Sequence, residues 1–166
     1  WLLGTNQSAV AWPACGEADI MEMGHKASER ARLFHAGVSA NNYVGANLIW
    51  YEEGACAPDN LTCAASIAYD QYYNKPYVAD TPLTERFMIY RMYWDEAFIR
   101  FTVEDNGVEY DLYAGAFPIG PQSGAFRKPF YMILNLAVGG NFTDAATPEQ
   151  VTAPMPAKME IDYIRV

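Results

Sequence analysis

The 166 residues, 51% apolar and 19% charged, have the length and composition of one folded domain. The net charge of −9, from 20 acidic and 11 basic residues, repels a phosphate backbone, and no Lys/Arg cluster offsets it, so nucleic acid is not an expected partner. No stretch is long and apolar enough to cross a bilayer, so no membrane partner is expected, whereas a neutral polysaccharide meets neither penalty.

Along the chain, short apolar runs alternate with Gly, Pro, Asn and Asp, the pattern of β-structure. Trp1-Leu2-Leu3-Gly4 reads as the inside of a domain rather than a signal peptide. Gln7 to Gly16 reads as a loop, and Gly16 to Gly24 as a strand rich in acids. Lys26 to Leu33 is the helical candidate, or else a loop entering a strand. A strand is expected near Ala46 to Tyr51, followed by long irregular structure to Pro82. Phe87 to Trp94, Phe98 to Val103 and Glu109 to Tyr113 are successive strands. Asp105-Asn106-Gly107 makes a tight turn between the last two, because Asn-Gly tolerates positive φ. Phe130 to Val138 is almost continuously apolar, as in a strand covered on both faces. Lys158, Glu160 and Asp162 alternate with Met159, Ile161 and Tyr163, a half-buried strand. Packing these strands sheet on sheet gives an all-β sandwich in a single domain, 1–166. The aromatics, 14% of the chain, suit both a β-core and a cleft that stacks planar ligands.

Cys56 and Cys63 flank a loop and could close a small disulfide, which would leave Cys15 as a buried free thiol. No CxxC spacing points to zinc. Asn60-Leu61-Thr62 and Asn141-Phe142-Thr143 are glycan acceptor patterns that matter only on a eukaryotic secretory route.

The informative stretch is Gly16-Glu17-Ala18-Asp19-Ile20-Met21-Glu22-Met23-Gly24. In a regular strand Glu17 and Asp19 share a face, and Glu22, five positions from Glu17, falls on the other. One extra residue, a β-bulge near Ile20-Met21, brings Glu22 back beside them. Like charges so close cannot all ionise cheaply, so at least one keeps its proton to higher pH. The result is one ionised and one protonated carboxyl, the pair that glycoside hydrolysis uses. A retaining mechanism needs those carboxyls roughly 5–5.5 Å apart. In a flat strand the two Cα atoms are separated by about 13 Å, so the strand must bow and the side chains converge over Asp19. On pattern alone, a solvent-exposed acidic face and a calcium site are also open. Gly16, Gly24 and the upstream Trp12-Pro13 favour a substrate groove.

Trp12-Pro13-Ala14-Cys15-Gly16-Glu17-Ala18-Asp19-Ile20-Met21-Glu22 resembles the signature of glycoside hydrolase family 16 in its bulged, laminarinase-like form. Trp1 to Gly4, Phe130 to Asn141 and Met159 to Val166 resemble the family strands that precede the signature, come late and close the fold. The resemblance implies a β-jelly-roll sandwich of two antiparallel sheets with an open cleft, and a retaining endo-hydrolysis of β-1,3-glucan. It implies that Glu17 is the nucleophile, that Glu22 is the acid/base, and that Asp19 between them governs which glutamate keeps its proton. Trp12, and less directly Trp1, are implied as sugar platforms, and His35 as a histidine on the strand paired with the catalytic one, facing the acid/base. Asp162 matches a ligand of the family's structural calcium; no cofactor is implied for catalysis. Trp50, Trp94 and His25 are expected to be structural.

Two departures accompany the resemblance. Ala18 stands where the family has Ile or Leu, a loss on the order of 2–3 kcal/mol unless a neighbour fills the gap. The family's N-terminal portion has no counterpart, so the chain is expected to be an incomplete catalytic domain. The expected protein is a secreted or extracellular monomer, periplasmic or cell-surface locations included, with a polysaccharide substrate. The alternatives are a non-catalytic glucan-binding module, or an enzyme for mixed-linkage glucan, agarose or carrageenan.

Overall fold

The computed structural model describes residues 1–51, 64–66, 75–84 and 86–166. Within them, two antiparallel sheets pack face to face, the β-sandwich of a jelly roll. The first sheet runs β10 (Phe130–Met132), β1 (Leu2–Gly4), β2 (Glu17–Met23), β3 (Tyr43–Tyr51) and β4 (Ala64–Ser66), with β5 (Tyr77–Val78) also on β3. The second runs β6 (Ile89–Trp94), β7 (Phe98–Asp105) and β8 (Val108–Asp111), with β9 (Phe117–Pro118) also on β7. The Cys56–Cys63 pair and Asn60-Leu61-Thr62 lie outside the described residues.

The period of two in these strands builds the core between the sheets. Val44, Ala46, Leu48 and Trp50 of β3 face Ile99, Phe101 and Val103 of β7, all buried. Ala18 of β2 is fully enclosed in this cluster. The indole N–H groups of Trp50 and Trp94 donate to the carbonyls of Gln122 (3.2 Å) and Phe126 (3.1 Å), tying both rings to the helical turn between β9 and β10. The hairpin between β7 and β8 turns through Asn106 (φ 50°) and Gly107 (φ 78°), with Asp105 paired to Val108.

The helix is present as α1 (Ala27–Arg32), and the loop from Gln7 to Gly16 holds Cys15 as a buried free thiol. Two expected strands are different. The Phe130 to Val138 run forms a ladder only as far as Ile133, which exchanges hydrogen bonds of 3.0 and 2.8 Å with Trp1. Beyond it, Leu134, Leu136 and Val138 are exposed. Among the described residues no neighbouring strand pairs with this stretch, and an apolar run without a ladder to join does not make a strand. The alternation from Lys158 to Tyr163 likewise pairs with no strand among the described residues, and the segment is exposed and irregular.

Gly4 leaves no room for a side chain. A Cβ there would lie 2.1 Å from the carbonyl oxygen of Cys15, and the Gly4 N–H donates to Gly16 O at 3.0 Å. Gly4→Ala is therefore expected to cost at least about 2 kcal/mol in a urea unfolding titration, because strand and loop must separate to admit the methyl group.

Candidate active site

The register between β2 and β3 pairs Glu17 with Ile49, Ala18 with Leu48 and Asp19 with Asn47, then shifts, pairing Glu22 with Gly45 and Met23 with Val44. Two residues, Ile20 and Met21, therefore face the single residue Ala46. This is the bulge that the acid spacing required. Opposite residues of an antiparallel pair project to the same side. Ala18, Leu48, Met23 and Val44 thus point into the core, and Glu17, Asp19 and Glu22 share the outer face. The hydroxyl of Tyr113, in the segment just after β8, donates to the carbonyl of Ala46, the residue facing the bulge.

The crowding has electrostatic consequences. Glu22 is pushed up to about 7, first by burial and then by the charge of Glu17. Asp19, 1% exposed, is pushed well above the usual carboxylate range, first by burial, then by Glu22 and Glu17, and by a hydrogen bond with Glu17. One of its oxygens, Oδ2, has no hydrogen-bond partner among the described residues. Burial, with the Glu22 and Asp19 charges behind it, also drives the Tyr113 phenol upward. The face therefore holds a protonated carboxyl at neutral pH beside Glu17, whose Oε2 accepts the indole N–H of Trp12. Trp12 is 42% exposed, so its ring face is open beside that carboxylate.

The other expected site residues are less uniform. Trp1 is half-buried next to this face, its indole N–H donating to Asn135 Oδ1 at 2.6 Å. His35 is not on the strand paired with β2: it lies in the loop after α1, with its ring 5.7 Å from that of Tyr43. The strand position is occupied instead by β3, and the ring beside the acids belongs to His25. A Cβ on Gly45, opposite Glu22, would lie 3.4 Å from His25 Cε1 and 3.5 Å from its Nε2. The sequence reading also passed over Asn47, a buried amide paired with Asp19 on the same face. Its signal was a lone amide within the apolar run of β3. Asp162 is exposed in the irregular C-terminal segment, and no cluster of three metal-ligating side chains exists among the described residues.

Compared with known proteins, the whole chain is 29% identical to a glucan endo-1,3-beta-glucosidase A1 of Niallia circulans and 30% identical to a keratan-sulfate endo-1,4-beta-galactosidase of Sphingobacterium multivorum. Over 84% of its length it is 30% identical to a beta-1,3-glucan-binding protein of Penaeus monodon. The chain spans 21%, 32% and 37% of these three proteins. No family model and no solved structure matches it. The relatives bear out the resemblance to glycoside hydrolase family 16.

The raised Glu22 has a measurable effect on stability. In the unfolded chain this carboxyl loses its proton near 4.5, in the fold only near 7. The stabilisation is therefore complete below the lower value and is lost as pH rises through the upper one. Glu22→Gln removes the titration, so at about pH 8 the variant is expected to be more stable than the parent by on the order of 1–3 kcal/mol. The gap should close near pH 4, as read from urea midpoints at each pH.

Proposed function

We propose that the protein is a retaining endo-β-1,3-glucanase. The observation that carries this reading is the β2 bulge, which gathers Glu17, Asp19 and Glu22 on one face with Glu22 protonated close to neutrality. Glu17 attacks the anomeric carbon as Glu22 gives its proton to the leaving oxygen. The C–O bond breaks, and a glycosyl ester forms on Glu17. Glu22, now ionised, takes a proton from water as the water oxygen attacks the anomeric carbon, the bond from that carbon to Glu17 breaks, and Glu17 is released as a carboxylate. Asp19, itself protonated, donates to Glu17 and keeps a second negative charge away from it. Trp12 holds Glu17 through its N–H and offers its open ring face to a sugar.

The Niallia circulans relative supports β-1,3-glucan as the substrate, and the Sphingobacterium multivorum relative keeps a galactose-containing polymer in view. The Penaeus monodon relative favours a second reading, glucan binding without cleavage. Reducing-end release from a panel of laminarin, mixed-linkage glucan, agarose, carrageenan and keratan sulfate separates these readings. Laminarin is expected to be cut, with Glu17→Gln lowering the rate by at least about a thousandfold. Laminarin bound but not cut would replace the hydrolase with a binding module, and cleavage of another polymer alone would move the substrate. Full activity in Glu17→Gln would remove the nucleophile.

A further inference from the structure

Glu22 projects outward opposite Gly45, which has no side chain to stand beside it. A residue with a Cβ there would meet the imidazole of His25 at 3.4–3.5 Å, so the ring occupies the room that a side chain on β3 would have taken. Directly opposed Cβ atoms are roughly 5 Å apart, so the imidazole and the Glu22 side chain both border the bare backbone of Gly45 on the outer face. We propose that His25 is a positioning residue for Glu22: its uncharged ring fills the slot left by Gly45 and shuts water out beside that carboxyl. This deepens the reading of Glu22 as the acid/base and rests on it.

The ring is fixed from several directions. It meets Tyr43 edge-on at 4.8 Å between centroids and Phe142 at a tilt at 4.5 Å. The chain on either side is tied down as well. Arg30 Nη1 donates to the His25 carbonyl, and the Lys26 N–H donates to Phe142 O at 2.9 Å. Arg30 in turn pairs with Asp144 at 3.7 Å. His25 Nδ1 is buried without a hydrogen-bond partner among the described residues, consistent with a ring that acts by volume.

The charged and titratable groups around the pair agree with an uncharged ring. Glu22 is faced by Glu17 and Asp19 on its own strand, by Tyr43 of β3 and by Tyr113 in the segment after β8. His25 is faced by Glu29 and Arg30 of α1, and burial lowers it to about 4. At working pH the imidazole therefore brings no charge to Glu22, only displaced solvent. Removing solvent from a carboxyl favours its protonated form.

The test is a carbon-13 NMR titration of the Glu22 side-chain carboxyl in the full chain, comparing the parent with His25→Ser and His25→Phe. His25→Ser admits water and is expected to lower the Glu22 midpoint by about one unit or more. His25→Phe keeps an uncharged ring of similar size and is expected to hold the midpoint at the parent value. His25→Asn replaces the serine variant should that fail to fold, with the same expectation. An unmoved midpoint on removal of the ring overturns the proposal. So does a phenylalanine variant that falls as far as the serine one, since the effect would then belong to the imidazole nitrogens. A parent that cuts no polysaccharide would refute the glucanase reading while leaving this comparison intact. An unmoved midpoint in a fully active enzyme would refute the role of His25 alone.

Discussion

Ile20 and Met21 share one place opposite Ala46, and the rest of the outer face follows from that mismatch. Without the extra residue Glu22 would turn inward among Val44, Leu48 and Ile99, where an unpaired carboxyl costs several kcal/mol. Met23 would turn outward in its place. Apolar burial and the acid spacing thus demand the same irregularity: Ala18 and Met23 belong inside, while Glu17, Asp19 and Glu22 belong outside. A slip of one residue would satisfy neither set, so the register is fixed twice.

Having gathered the acids, the fold keeps them apart electrically by holding protons on Asp19 and Glu22. The same burial that makes a proton donor available near neutral pH also makes the folded state dislike alkali. Chemistry and stability are here two readings of one quantity, the extra affinity of the native carboxyls for protons. A solvent-exposed acidic strand would have shown neither effect. The burial of Asp19 and the upward displacement of Glu22 therefore separate this face from the bland alternative that alternation alone left open.

The features legible in the sequence were those fixed within a few residues. Asn106-Gly107 carries its turn in its own backbone preferences, and the five-residue step from Glu17 to Glu22 announces a bulge, since no regular strand puts both on one side. The strands expected over Leu134 to Val138 and Lys158 to Tyr163 were not decided locally, because a strand exists only where another offers its hydrogen bonds. The histidines show the limit best. His35 was favoured by its neighbours in sequence, yet the α1 turn and the loop after it carry it away from β3. His25 was brought to the acids by contacts with Phe142 and Asp144-paired Arg30, more than a hundred residues distant in part. Only the bare backbone of Gly45, in a strand otherwise built of larger residues, hinted that something would lie over it.

The Tyr113 hydroxyl comes from the segment just after β8 and ends on the carbonyl that faces the bulge. That link makes the chain leaving the second sheet a brace for the irregular stretch of β2, so the spacing of the two layers and the aim of the acids are mechanically joined.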